Sequence, residues 1–438
     1  MTKLGLGIDT GGTYTDSVIY DFTSEKILAK AKALTTKEDL AEGIFASLRE
    51  LSRSQQGDAD RTDKAGNADN AVGAVNMEEI QLVSLSTTLA TNACVEGKGG
   101  RGKLVLIGYD LQLLTELRSK YGLPEVGEIL FLAGGHGQQG QVLAEPNWAE
   151  LEKQVRSTAN DTDAYGVVEY WGIRNPEFEQ EAKRRIRQWT GKPVVCGHEL
   201  SMEINSLRRA ATTLLNTGLI KLIDDLLSAV KAGMARMGIS APIMIVKGDG
   251  TMMSESYARE RPVETLLSGP AASVVGGMKL TGCRDALILD IGGTTSDLAL
   301  IRDGLTVLAE EGVDVGSWRT GTRAIRIRTI ALGGDSILSF DIGPRKAAPL
   351  SWMAEKWPRV REGLRVIREE NKWHTLSLGE FFYPIAVPDR TESFSEPEQR
   401  ILSVLKDGPR SVAALAEETE SSIFLLQTEN LERRNASG

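Results

Sequence analysis

Two stretches of the chain spell one pattern, D-x-G-G-T-x-[T/S]-D, 281 positions apart. Residues 7–21 read GIDTGGTYTDSVIYD and residues 288–303 read ILDIGGTTSDLALIRD. The copies are in register: Asp9 matches Asp290 and Thr13 matches Thr294. Each copy reads as a strand ending in a carboxylate, a glycine turn and a second, alternating strand. A repeat of that kind constrains the chain to an α/β architecture with two related halves.

The two glycines permit positive φ and let backbone N–H groups come close to an anion. The Thr hydroxyl adds a donor, and a carboxylate at a strand end can hold a divalent cation directly or through water. Phosphates with Mg2+ suit that set. Gly-Gly is also an ordinary hairpin turn, so one copy alone would carry little. Two copies, each with a carboxylate at the mouth of the turn, favour two phosphate-binding hairpins facing one ligand over a repeat kept for folding. Gly11, Gly12, Thr13, Gly292, Gly293 and Thr294 are then nucleotide-binding candidates. Asp9 and Asp290 are the catalytic and metal-holding candidates. A third element, TIALGGDSILSF at 329–340, reads as strand, Gly-Gly pair and helix start. Gly333, Gly334, Asp335 and Ser336 are nucleotide-binding candidates there. This series resembles the actin, Hsp70 and sugar-kinase superfamily, which implies duplicated ribonuclease-H-like domains flanking an ATP cleft.

Between the motifs, Leu40, Ile44, Leu48 and Leu51 share a face and predict a helix over 38–52. Residues 53–76 lack an apolar period and predict a polar surface loop. Strands are expected at 164–170 and 192–196 around a helix over 176–190. The helical stretch 199–236 is expected in two parts separated near Gly218. SGPAAS opens a further helix, with Ser268 or Gly269 as cap and Pro270 at its first position. The Trp-, Arg- and Pro-rich residues 346–395 predict an irregular connector. Residues 396–438 predict three short helices of helix-turn-helix or partial winged-helix kind. The domain division is therefore 1–200, 201–345, 346–395 and 396–438.

Further stretches narrow the resemblance. STTLATNACVEGKG, RNPEFEQE, GHELS, RRAATTLLNTGLI, VKGDG, RPVETLLSGPAASVVGG, the Asp290 motif and ALGGDS occur in this order. Together they resemble the hydantoinase A/oxoprolinase family across about residues 4–345. The resemblance implies an ATP-dependent hydrolase subunit that uses ATP and Mg2+. It would activate a lactam, hydantoin or ketone carbonyl oxygen by phosphorylation, for hydrolysis or carboxylation, with a B-type partner subunit. Longer relatives continue past a terminus such as LERRNASG, so a shortened or inactive form is an alternative expectation. A nucleotide- or metabolite-sensing regulator with the helical tail as its output is a rival from another class, and a small-molecule kinase is a third.

Asp16 and Asp297 close the two motif copies and either orient water on Mg2+ or cap the turn. Thr88, Asn92 and Asp249 are substrate or supporting candidates, with capping and turn formation as the alternatives. His136, in AGGHGQQGQ, is expected to face solvent, and His198 to serve a structural bond or catalysis. Cys94 is expected as a small buried residue. Three scattered cysteines argue against a disulfide framework and suit a cytoplasmic protein. The net charge of −9 offers no general attraction to nucleic acid or anionic membrane. No apolar run reaches the roughly 18 residues a membrane span needs. A small molecule and a protein partner, with homo-oligomerisation left open, are the expected partners.

Overall fold

The computed structural model describes residues 3–12, 14–36, 40–55, 76–293, 295–334, 336–338, 342–347, 350–369, 380–383 and 394–421. Thr13, Thr294, Asp335, most of the 53–76 segment and the expected third C-terminal helix lie outside them. The chain divides into two compact units, Met1–Asp290 with Asp297–Thr329, and Ile291–Ser296 with Ile330–Gly438.

In the first unit, β1 (Leu4–Thr10), β2 (Tyr14–Asp21) and β3 (Lys26–Leu34) form an antiparallel meander. Strand alternation sets its faces. Leu4, Leu6 and Ile8 enter the main core, which leaves Gly5, Gly7 and Asp9 on the opposite face. Helix α1 (Leu40–Gln55) covers the core face through Ile44, Leu48 and Leu51, as its apolar spacing requires. β4 (Ile80–Thr87) then pairs parallel with β1, and α2 (Leu89–Glu96) follows directly.

A second, all-parallel sheet comprises β5 (Gly102–Ile107), β6 (Leu130–Leu132), β7 (Ala164–Glu169) and β8 (Val194–Cys196), in the order β8-β7-β5-β6. Both faces are covered, as a parallel sheet requires. Val105, Ile107 and Val167 pack on one side with helices α3 (Trp148–Thr158) and α4 (Glu177–Thr190). Leu104, Leu106 and Val168 pack on the other side with Leu207, Ala210, Ala211 and Leu214. The short helix α5 (Gly197–Leu200) leads from β8 to the long helix that carries those last four residues.

That helix, α6 (Ser206–Arg236), is one element of 31 residues rather than two parts. Gly218 does not break it. The Gly99–Gly100 backbone packs against it, and the Gly100 N–H donates to the Gly218 carbonyl at 2.7 Å. The first half of α6 packs on the second sheet. The second half, through Leu219, Ile223, Leu226, Leu227 and Val230, joins the core of the first sheet. β9 (Ile243–Val246) and β10 (Met252–Ser254) then complete that first sheet in the order β10-β9-β4-β1-β2-β3. Helix α7 (Ser268–Thr281) precedes β11 (Ala286–Ile291), β12 (Ser296–Arg302) and β13 (Leu305–Thr306), which lie in that order, with β14 (Ile327–Ile330) paired to β12.

In the second unit, Ser336 begins a strand rather than a helix. β15 (Ser336–Leu338) pairs antiparallel with β16 (Ile342–Lys346), with Ser336 opposite Lys346. The expected irregular connector contains two helices, α8 (Leu350–Lys356) and α9 (Pro358–Glu369). Pro358 sits at the first position of α9, where its missing N–H costs nothing, so it marks a start and not a break. Trp352 and Trp357 meet edge to face at 5.9 Å around this junction. The first two of the expected C-terminal helices are present as α10 (Glu396–Leu405) and α11 (Val412–Glu418). Ser395 and Glu398 form a capping box on α10. Among the described residues no helix is long and apolar enough to cross a membrane.

Candidate functional site

The face of the first sheet opposite its core is built from small and polar residues. The register places Gly7 beside Val18 and Ser84, and Asp9 beside Asp16 and Ser86. The glycine and serines leave space, and a pocket of about 690 Å³ opens there beside Asp9, Asp16, Lys30, Lys32, Val246 and Ala272. That volume lies in the range of small-molecule sites.

Asp9 is the centre of this face. The Ser86 hydroxyl donates to its Oδ1 at 2.6 Å. Burial holds the Asp9 carboxyl above its usual range; the Ser86 bond pulls it down, and the charges of Asp16 and Asp290 push it up again. Asp16 is held by Lys32 at 3.1 Å, across β2 and β3. A half-buried carboxylate with two more carboxylates in electrostatic reach is unfavourable by itself and is relieved by a divalent cation. The residues present therefore fit such an ion.

The turn after Asp9 is closed by the Gly11 N–H donating to the Tyr14 carbonyl at 2.9 Å. The turn after Asp290 is closed by the equivalent bond, Gly292 N–H to Thr295 carbonyl, also 2.9 Å. The two copies are thus one turn built twice. A methyl on Gly12 would stand 3.0 Å from Asn92 Nδ2, and one on Gly269 would stand 2.8 Å from Thr88 Cγ2 and 3.8 Å from Asp9 Oδ1. The first turn, the start of α2 and the start of α7 therefore converge closely, with Gly12 and Gly269 leaving room for the Asn92, Thr88 and Asp9 side chains. Thr88 makes no side-chain cap on α2, and Asn92 Nδ2 reaches its hydroxyl at 3.4 Å. Those two polar side chains are not spent on capping.

Ser268 does not cap α7 either. Its hydroxyl bridges to β4, accepting from Thr87 N–H at 3.2 Å and donating to the Thr87 carbonyl at 2.9 Å. The cap position falls to Leu267, held at φ +60°, with its N–H bound to Thr91 Oγ1 at 3.0 Å. A non-glycine residue there costs about 1–3 kcal/mol, offset here by the bridge that pins α7 to β4.

The third turn docks on the second hairpin. Gly334 N–H donates to the Gly292 carbonyl at 2.9 Å, and Gly333 N–H to Ser336 Oγ at 2.8 Å. A methyl on Gly293 would meet open space. Asp297 accepts from Thr329 Oγ1 at 2.5 Å. Asp249 closes its own turn, accepting from Thr251 N–H and hydroxyl and pairing with Lys247. Cys94 is buried, and burial pushes its thiol up to about 12.

His136 is not exposed. Gly134 and Gly135, both at positive φ, turn it inward, where its ring stacks on Phe178 at 4.2 Å and Nδ1 meets Glu169 at 2.8 Å. Sequence reasoning missed Ser86 and Lys32. The signal for Ser86 was present in β4: Ser84 and Ser86 alternate with Val83 and Leu85, marking a polar face on a central strand.

These features define a mixed α/β protein that carries two equivalent Asp-x-Gly-Gly turns, the first beside a carboxylate-lined pocket. The hydantoinase/oxoprolinase N-terminal region matches residues 5–190 and the hydantoinase/oxoprolinase region matches residues 209–365, so the chain belongs to the hydantoinase/oxoprolinase family. It is 26% identical over 374 residues to caprolactamase subunit alpha of Pseudomonas jessenii, covering 78% of this chain and 50% of that one. Its fold is similar to that of the ATP-dependent caprolactamase from Pseudomonas jessenii (TM-score 0.62, 24% identity, 78% of this chain and 51% of that one). It is also similar to nucleotide-free acetone carboxylase (TM-score 0.63, 19% identity, 79% and 51%). The chain spans about half the length of the relatives it matches.

Proposed function

We propose that this chain is an ATP-dependent subunit of hydantoinase/oxoprolinase type, acting on the carbonyl oxygen of a cyclic amide or a ketone. The observation that carries the reading is the convergence on Asp9: a raised carboxyl, two further carboxylates, a glycine turn and a pocket of about 690 Å³. In this reading Asp9 and Asp290 hold Mg2+, and Asp16, anchored by Lys32, adds to the field that attracts it. Gly11 and Gly292 close the two turns with their own N–H groups, and Gly12, with Gly293 in the second copy, donates its backbone N–H to phosphate oxygens. Thr13, Thr294 and Asp335 belong to the same proposed set. Gly333, Gly334 and Ser336 serve the nucleoside, Thr88 and Asn92 the substrate side, Asp249 stabilises its own turn, and Asp297 ties β12 to β14 through Thr329. ATP would supply the phosphoryl group that activates the carbonyl oxygen. The protein's part is positioning and charge neutralisation.

Three antiparallel strands followed by parallel β4 and β9 support a ribonuclease-H-like reading of the first sheet. The repeated hairpin supports a second such domain. The division at 1–200, 201–345, 346–395 and 396–438, the B-type partner subunit and a cytoplasmic setting belong to the same proposal. The word "subunit" in the caprolactamase name supports the partner.

Calorimetry with ATP tests the reading. Wild type is expected to bind ATP with Mg2+ and to lose most of that binding in Asp290→Ala. A folded wild-type chain that takes up no ATP, with Mg2+ present, would sink the proposal. The Ser86→Ala variant adds a pH test. Asp9 attracts a cation only when ionised, so Mg2+-dependent binding should weaken as pH falls through its raised pKa. Loss of the Ser86 bond, which lowers that pKa, should move the weakening to higher pH. An unchanged pH profile in Ser86→Ala would show that Asp9 does not govern the ion.

A further inference from the structure

The second sheet carries a cluster that the Asp9 chemistry does not use. Glu179 in the first turn of α4, Cys196 at the end of β8 and His198 in α5 bring one donor atom each within 4.8 Å of one another. Glu179 and Cys196 are fully buried, and the His198 side chain is 15% exposed. All three stand on regular backbone. Packing of Phe178, Ala182 and Ile186 fixes the rotation of α4, and parallel pairing with β7 fixes the end of β8.

The local bonds hold the donors in place. Glu179 Oε1 accepts from Glu169 N–H at 2.8 Å, and Oε2 accepts from His198 N–H at 3.1 Å and lies 2.5 Å from His198 Nδ1. The Cys196 thiol donates to the Glu179 carbonyl at 3.3 Å. The neighbouring cation, Lys183, is bound to both oxygens of Glu199, at 2.6 and 2.8 Å. Burial, then the charges of Glu179 and Glu199, keep the Cys196 thiol protonated; a divalent cation among these groups would reverse that balance.

A second observation adjoins the cluster. Glu169, whose N–H is held by Glu179, and His136, whose ring stacks on Phe178, form a buried pair. Within that pair, Glu169 Oε2 and His136 Nε2 are buried without a hydrogen-bond partner. Buried polar atoms left unpaired are uncommon and mark a place where a ligand or water belongs.

We propose that Glu179, Cys196 and His198 bind one divalent transition-metal ion of zinc type, with the buried Glu169–His136 pair adjoining it through the Glu169 N–H bond to Glu179. A carboxylate, a thiolate and an imidazole suit zinc or cobalt rather than Mg2+, which prefers oxygen donors alone. Three protein donors leave a fourth position for solvent or substrate. Binding would draw the donors together to roughly 3.5 Å, the spacing of a tetrahedral site. It would release the Cys196 thiol proton and the proton between His198 and Glu179. The site lies on a different sheet from Asp9 and is independent of the ATP reading.

The test uses the full chain, stripped of metal and titrated with Co2+ alone, on a Cys283→Ser background that removes the exposed thiol. Stoichiometric uptake is expected, with a thiolate-to-cobalt charge-transfer band, displaced by Zn2+. Cys196→Ser is expected to lose the band, and His198→Gln to bind at least about tenfold more weakly. Circular dichroism confirms that both variants fold; Glu179→Gln strips a buried acceptor and is not needed. Absence of stoichiometric uptake, or an unchanged band in folded Cys196→Ser, overturns the proposal.

Discussion

Asp9→Asn is expected to abolish Mg2+-dependent ATP binding and to cut any substrate-stimulated ATP turnover by about two to three orders of magnitude. Asparagine keeps the shape of the side chain and an acceptor for the Ser86 hydroxyl, so the change removes charge and little else. The same variant should be more stable than wild type without ligand at neutral pH. The folded-state pKa of Asp9 is raised, chiefly by burial. Protonated Asp9 therefore contributes stability below the ordinary carboxylate range, and that contribution is lost as pH rises through the raised pKa. The advantage of Asn should accordingly be present at neutral pH and vanish in acid. Thermal unfolding across pH, paired with calorimetry, reads both halves. A variant that lost binding and stability together would mean that Asp9 is structural.

Arg209→Met should cost about 3–5 kcal/mol of stability. The Arg209 residue is fully buried in α6. Its Nη1 donates to the Glu203 and Ile204 carbonyls at 2.6 and 3.1 Å, and its Nη2 to the Glu169 and Tyr170 carbonyls at 2.9 and 2.7 Å. One guanidinium thus ties the end of β7 to the segment that enters α6. Methionine fills the volume and removes four hydrogen bonds, leaving the Glu169 carbonyl only its bond from the Gly172 N–H. Lysine should not rescue, since a single ammonium cannot span two pairs of acceptors in the plane of a fork. Urea unfolding measures the loss; a change below about 1 kcal/mol would show that water replaces the guanidinium without penalty.

The polar half of the site was legible where one residue type could satisfy the backbone. The glycine turn repeats in register because both copies close with the same N–H-to-carbonyl bond across three residues. The apolar stripe of α1 was legible because it faces one core through one side. The α6 helix was misread at Gly218 because a glycine within a helix reads as a break. There the helix runs on uninterrupted, and the Gly218 carbonyl accepts from the Gly100 N–H of a loop that only the fold brings alongside. His136 was misread for a related reason: a glycine loop reads as exposed until its turn is seen to press the imidazole onto Phe178.

By itself the sequence determined the α/β class, the paired Asp-x-Gly-Gly turns, most of the helices and the family, since these depend on local periodicity and on ordered motifs. Tertiary structure alone decided three things: that Ser86 binds Asp9 from 77 residues away, that β9 returns to stand beside β4, and that Glu179, Cys196 and His198 meet. Each depends on strand register and helix rotation. Those are set by the summed packing of a whole core, and no short stretch of sequence encodes them.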